Sequence, residues 1–356
     1  MNRDSVNRRL ARLLNHAVHL PLNAESRIVV FSDLHLGNGG RKDDFLKNGP
    51  LLQYALEHHY EKHGYILVLN GDVEELQRFY LKDIRRQWAS LYGVFDRFHR
   101  QGRLYKLLGN HDLALELGRK RSAGSYPVHE ALKMTLEDQV ILVFHGHQSY
   151  RYLRTFILLS GFLLRWVANP LGIKNYSVAY NSRKKYTVEK RAYHFARSHR
   201  LLTLIGHTHR PLFESLSKLE QLKYRIEAMC RAYTVAPSGK RAGLAERIRQ
   251  SKTELKALRS DRGGYAQRYT GGLYDSEPLV PCLFNSGCAI GKSGVTALEI
   301  SDGSIALVHW FDRRNRSKYL NDPELRCHTL SGSAYCRVIL KREPLDYVFT
   351  RIRLLS

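Results

Sequence analysis

The chain has 356 residues, 43% of them hydrophobic, which is enough core material for about two domains or one large domain with insertions. Its 57 Lys and Arg against 33 Asp and Glu give a formal charge of +24, a field that favours acidic partners such as nucleic acid, an anionic lipid surface or a phosphorylated metabolite. The five cysteines (Cys230, Cys282, Cys288, Cys327, Cys336) are odd in number and lack C-x-x-C spacing, which argues for reduced thiols rather than a disulfide framework.

The N-terminal segment carries Arg3, Arg8, Arg9 and Arg12, but His16 and His19 interrupt the only apolar run that follows. No signal peptide is expected there, and a cytoplasmic location follows. Residues 27–32, 65–70, 103–108 and 140–144 then read as short buried strands, with charged segments of helical spacing between them. His58, His59 and His63 fall on a polar helical pattern and read as plain surface residues. Leu201–Ile205 and Cys282–Asn285 continue the strand series. Val295–Ile300 and Ile305–Trp310, joined by Ser-Asp-Gly-Ser, predict a hairpin with a type I′ turn. Strands alternating with helices and ending in an antiparallel pair predict a mixed-sheet α/β architecture. There is no internal repeat and no low-complexity tract.

The strands matter because of what leaves their ends. Five short motifs follow in order: Asp33-Leu-His35, Gly71-Asp72, Gly109-Asn110-His111-Asp112, His145-Gly-His147 and Gly206-His207-Thr-His209. Each follows an apolar run, so each reads as a loop at a strand end, where residues distant in sequence converge. Carboxylate, carboxamide and imidazole donors together suit Mn²⁺, Fe²⁺ or Zn²⁺. Asp33, His35, Asp72, Asn110, His145, His207 and His209 exceed what one ion needs, so two divalent metals sharing a bridge are expected, with Mn²⁺ first among them. Glu74 and Glu75 read as carboxylates at a helix N-terminus.

The ordered set closely resembles the calcineurin-like metallophosphoesterase superfamily, whose pattern is D-x-H, G-D, G-N-H-D, a His before Gly, and G-H-x-H. All five elements lie between residues 33 and 209, and Asn285-Ser286-Gly287 is similar to a later Asn-x-Gly stretch of that family. The resemblance implies an αββα sandwich of mixed sheets. It also implies that Asp33, His35 and His209 hold one metal, that Asn110, His145 and His207 hold the other, and that Asp72 bridges them. A hydroxide between the two ions would then attack phosphorus. His111 is expected as general acid, with Asp112 orienting its ring, and His147 as a substrate contact.

The motifs divide the chain into a first part of the core over 1–147, an insertion over 148–199, the His pair over 200–213, a second insertion over 214–274, last core strands over 275–313 and an extension over 314–356. Residues 151–200 hold eleven Lys and Arg against one acid, Glu189, and include the apolar run Thr155–Leu164 between Arg154 and Arg165. Ten apolar residues are too few to span a bilayer, but they suit a membrane interface, an acyl pocket or a buried packing helix. In placement and character this insertion resembles the lid of UDP-2,3-diacylglucosamine hydrolases, although those enzymes often carry Arg where His111 stands and an acid where His147 stands. In the second insertion, Leu216, Leu219, Leu222, Ile226 and Met229, then Leu244, Ile248, Leu255 and Leu258, predict a helical hairpin with a narrow apolar seam and a basic second helix. Residues 263–274 read as a flexible return, and the apolar runs Arg337–Leu340 and Tyr347–Leu355 receive no role.

The expected activity is two-metal hydrolysis of a phosphate ester or pyrophosphate, with a membrane-associated substrate such as UDP-2,3-diacylglucosamine implied by the lid resemblance. The alternatives are a nuclease, served by the positive charge and by Tyr176, Tyr180, Tyr186 and Tyr193 as stacking groups, a protein phosphatase, or a metal-stabilised docking module.

Overall fold

The computed structural model of the chain describes residues 3–115, 126–149, 182–216, 218–260, 279–315 and 325–356. Its elements run α1 (Arg3–His16), β1 (Val18–Pro21), β2 (Ile28–Phe31), α2 (Gly49–Ala55), β3 (Ile66–Asn70), α3 (Leu81–Gln87), α4 (Ala89–Arg100), β4 (Leu104–Leu107), β5 (Val128–His129), β6 (Ala131–Leu136) and β7 (Gln139–Phe144). They continue with α5 (Ser182–Ser198), β8 (Leu202–Ile205), α6 (Lys218–Val235), α7 (Ser238–Ser260), β9 (Leu283–Asn285), β10 (Val295–Ser301), β11 (Ser304–Asp312), β12 (Cys327–Thr329), β13 (Tyr335–Pro344) and α8 (Leu345–Leu355).

The strands form two mixed sheets. One has five strands in the order β1-β6-β7-β8-β9; the other has eight, in the order β12-β13-β11-β10-β2-β3-β4-β5. Strand β2 shows how one short run serves two cores. Ile28 and Val30 point into a cluster shared with Leu142, Val143 and Leu204 of the five-stranded sheet. Val29 and Phe31 point the other way, into a cluster with Leu52 of α2, Ile84 of α3 and Phe95 of α4. The alternation is the two-residue period of a strand buried on both faces, and it makes the eight-stranded sheet a layer between the second sheet and helices. Helices α1, α5 and α8 complete the inter-sheet cluster through Leu10, Phe195 and Ile352. The architecture is the expected mixed α/β one.

The β10–β11 hairpin pairs Ser301 with Ser304, and its turn residues Asp302 and Gly303 have φ of 50° and 66°, as a type I′ turn requires. The run at 337–340 lies in β13, which pairs with β11, and the run at 347–355 lies in α8. The helices α6 and α7 form the expected hairpin, turning at Ala236–Pro237, with Leu222 and Met229 buried in its seam. The apolar run 155–164, most of the lid region and the return at 263–274 lie outside the described residues.

Two local expectations are corrected. Helix α2 does not run on as a polar surface helix but continues as a single π-helical stretch, Leu56–Glu61, which turns the half-buried His59 ring against Tyr60, Tyr65 and Trp310. Residues 73–80 form no helix, so Glu74 and Glu75 do not cap one; both are buried. Among the described residues no helix is long and apolar enough to cross a membrane.

Candidate metal centre

Each motif sits in a loop at the carboxyl end of a strand: Asp33 and His35 after β2, Asp72 after β3, Asn110 after β4, His145 directly after β7, and His207 and His209 after β8. The two sheets therefore deliver their loops to one place. Asp33, His35, Asp72, His207 and His209 all adopt positive φ, between 50° and 64°, a region that side chains with a Cβ enter at a cost of about 1–3 kcal/mol each. Glycines make room for this. A Cβ on Gly109 would stand 2.1 Å from Asp72 N and Oδ1, and one on Gly206 would stand 2.5 Å from Ser32 Oγ.

Two groups of potential ligands without a shared residue converge, Asp33, His35 and His209 in one and Asp72, His145 and His207 in the other; a third, His35, Glu75 and His111, overlaps the first through His35. His209 Nε2 is 3.0 Å from Asp33 Oδ1 and 3.2 Å from His35 Nε2. Asp72 Oδ2 lies 3.2 Å from His145 Nε2 and 3.9 Å from His35 Nε2, so a single carboxylate oxygen faces both groups. Its other oxygen accepts from His111 N at 2.8 Å.

Several of these atoms are buried with no hydrogen-bond partner: Asp33 Oδ1, Asn110 Oδ1, His145 Nε2 and His207 Nε2. Unpaired buried acceptors are costly, and four aimed into one place fit a pair of cations. Behind them, hydrogen bonds fix the tautomers. His145 Nδ1 donates to Asn70 O at 2.8 Å, which leaves Nε2 as the free donor atom for a metal. Burial, together with His145 beside it, holds His207 down at about 3, so it stands neutral and ready to ligate. For His145 burial opposes protonation, but Asp72 and Asp33 outweigh it and raise the ring to about 9, so without cations Nε2 carries a proton toward Asp72 that a metal would displace.

The structure places His111 here with a different partner from the one expected. Its Nδ1 is 2.8 Å from Glu75 Oε1, while Glu75 Oε2 is 3.0 Å from His35 Nδ1. Glu75 thus joins a candidate ligand to the candidate acid, and His111 Nε2 points back to within 4.0 Å of Asp72 Oδ2. Asp112 is not the ring's partner. It accepts instead from Gly109 N at 2.6 Å and Val73 N at 2.9 Å, closing the loop on itself. Burial, with Asp72 and Glu74 nearby, raises Asp112 to about 7. His147 lies beside the second group, its ring tilted at 5.5 Å from that of His145 and edge-on at 6.4 Å from that of His207.

Sequence reading missed Glu75, Lys185 and Glu189. Lys185, on α5, is half-buried and makes no hydrogen bond or ion pair among the described residues. Burial and the Arg210 guanidinium hold it below the usual lysine range, against the opposing pull of Glu189 and, more weakly, of the candidate ligand Asp33. Glu189, one turn further along α5, is buried against Thr208 and Arg210. Its one visible signal in the sequence is that it is the single acid of a strongly basic stretch.

A model of the calcineurin-like phosphoesterase family matches residues 26–211. A search among curated proteins returned no match. Among solved structures 21 chains match. One is a dimetal phosphatase from Danio rerio, 10% identical, aligned over 79% of this chain and 95% of its own with a TM-score of 0.32.

Proposed function

The chain belongs to the calcineurin-like phosphoesterase family and is a metal-dependent phosphoesterase; from that premise we propose that it cleaves a diphosphate-linked or similarly dianionic substrate with two divalent ions. The observation that carries this reading is the pair of buried ligand groups facing one Asp72 oxygen, with unpaired donor atoms between them. Asp33, His35 and His209 would hold one ion, Asn110, His145 and His207 the other, and Asp72 both. When bound, such ions turn water into a nucleophile near neutral pH and neutralise phosphoryl oxygens. Mn²⁺ is the first choice, and Fe²⁺ or Zn²⁺ suit the same donors.

The chain's own groups supply the rest. Glu75 fixes the His111 ring by its Nδ1, which directs Nε2 toward the Asp72 side of the site, where it can give a proton to a leaving oxygen. His147, beside His145 and His207, is the expected substrate contact. An ammonium left half-buried beside a guanidinium is unfavourable unless an anion shares the space. Glu189 already offsets the Arg210 guanidinium, so Lys185, with no ion pair of its own among the described residues, is the cation left to meet a second anionic group of the substrate, as a pyrophosphate carries.

A membrane-associated lipid nucleotide such as UDP-2,3-diacylglucosamine fits that charge pattern and the basic, apolar sequence of 148–199. The test is hydrolysis after chelation and Mn²⁺ addition, on p-nitrophenyl phosphate, bis-p-nitrophenyl phosphate, single-stranded DNA and the lipid nucleotide. Preference for the lipid, with Lys185→Met raising KM at least tenfold on it and little on the chromogenic diester, supports the reading. If the lipid is untouched while DNA is cut with steep salt dependence, the chemistry stands and a nuclease replaces the lipid enzyme.

A further inference from the structure

The loop that carries the last two candidate ligands is held from both sides. His207 and His209 contribute one imidazole to each ligand group, and both have positive φ, 64° and 54°. Thr208 stands between them with its side chain buried. From β9, Asn285 Nδ2 donates to Gly206 O at 2.9 Å and to Thr208 Oγ1 at 3.0 Å. From α5, the carboxylate of Glu189 accepts from Thr208 Oγ1 at 2.8 Å and from Arg210 Nε at 3.2 Å, and its second oxygen accepts from Arg210 Nη2. A continuous polar chain therefore runs Asn285–Thr208–Glu189–Arg210 across the loop, engaging the residue between the two histidines and the residue after the second.

We propose that Glu189 is a positioning residue that locks residues 206–210 into their strained conformation, so that His207 and His209 are presented to their two metals as one rigid unit. Three observations carry this. Glu189 is only 4% exposed, and burying a carboxylate is costly unless hydrogen bonds satisfy it, as they do here. Its hydrogen bonds to Thr208 and Arg210 fall in the loop between and beside the ligands, where a stabilising ion pair alone would not have to fall. The left-handed backbone of two adjacent ligands persists only if its surroundings over-determine it, and the Thr208 hydroxyl is the point where β9 and α5 both grip it. Because the same clamp serves both histidines, its loss weakens both sites together. The inference rests on the two-metal reading, but its test needs no substrate.

Mn²⁺ binding to the full chain, by calorimetry and metal analysis well below the melting temperature, decides it, with melts of the chelated protein alongside. Glu189→Ala is expected to weaken both ions by about 10–100-fold, the range seen when a residue supporting metal ligands is removed. Glu189→Gln keeps an acceptor for Thr208 and falls between Glu189→Ala and the parent; it decides the matter if the alanine variant does not fold. Arg210→Met removes the guanidinium from the Glu189 carboxylate but leaves the Thr208 contact, so it should weaken both ions less than Glu189→Ala does. Two ions bound at parental affinity by the Glu189 variants, even with a lowered melting temperature, would make the residue merely structural. Loss of one ion alone would overturn the joint presentation. A parental protein that takes up no metal at all would instead sink the proposed function beneath it.

Discussion

On the helix-covered face of the eight-stranded sheet, Tyr60, Glu299, Trp310 and Arg337 form a buried polar cluster in which the principal groups are matched. Tyr60 Oη donates to Glu299 Oε1 at 2.7 Å and accepts from Trp310 Nε1 at 2.7 Å, and Arg337 Nε donates to Glu299 Oε1 at 2.9 Å while its Nη2 meets the second oxygen. At the carboxyl ends of the strands the finish is the reverse. Asp33, His145 and His207 are as deeply set and Asn110 is half-buried, yet each keeps a buried atom without a hydrogen-bond partner, and the backbone under five ligands is strained. Both clusters bury charge on one scaffold. One is completed within the chain, and the other is completed only by cations. That contrast separates a structural polar cluster from a site better than burial or pKa shifts do, since both clusters have these.

The largest expected effect comes from removing the carboxylate that faces both ligand groups. Asp72→Asn should lower kcat on a chromogenic phosphodiester by at least about 10³-fold, some 4 kcal/mol of transition-state stabilisation. The chelated protein should melt somewhat lower than the parent, because burial is outweighed by His145 and His111, which hold the Asp72 carboxyl well below its ordinary range, an attraction the amide loses. Unchanged hydrolysis at saturating Mn²⁺ would break the comparison. The matched cluster should answer oppositely. Arg337→Met leaves Glu299 buried without its cation and should cost about 3–5 kcal/mol in urea unfolding, with the gain in stability on adding Mn²⁺ unaltered. A smaller effect is expected from Glu75→Gln, which keeps the shape but not the charge that His35 and His111 share. Mn²⁺ affinity should fall about 10–100-fold and kcat should fall with it, and the substitution Asp112→Asn, although nearer in sequence, should disturb the His111 ring less.

What was legible in the sequence was whatever local pattern encodes. The strand runs ended where the motifs began because a buried strand must be apolar on both faces and a ligand loop cannot be. The motif order alone brings Asp33, Asp72, His145 and His207 to one end of the sheets, where their side chains converge. Glu75 was misread because two adjacent acids after a loop look like a helix start, and only the tertiary arrangement of His35 and His111 shows otherwise. Asp112 was credited with the ring by proximity in sequence, but its backbone geometry turns it toward Val73 and Gly109. Glu189 and Lys185 were hidden inside a stretch read by its net charge, although the one acid among eleven cations was the residue that departed from the pattern. The π-helical stretch at 56–61 has no periodic signature, since a single wide turn shifts the apolar spacing by only one residue.

That wide turn supplies the mildest test of the contrast. It sets the half-buried His59 ring against Trp310 and Tyr65, next to the matched cluster, where burial, and after it the Arg337 and His63 charges, lower the imidazole from 6.5 to about 3. Between those two values the unfolded chain binds a proton that the folded chain refuses, so stability falls as pH drops through 6.5. No cation completes this position, and Mn²⁺ should not rescue it. His59→Phe keeps the ring stacking and removes the titration, so the variant should lose about 1 kcal/mol less than the parent between pH 7.5 and 5 in urea unfolding, with both proteins chelated so that His207 contributes equally. Equal pH slopes for the two proteins would mean that the ring is charged in the folded state, and that the cluster is less closed to solvent than its hydrogen bonds imply.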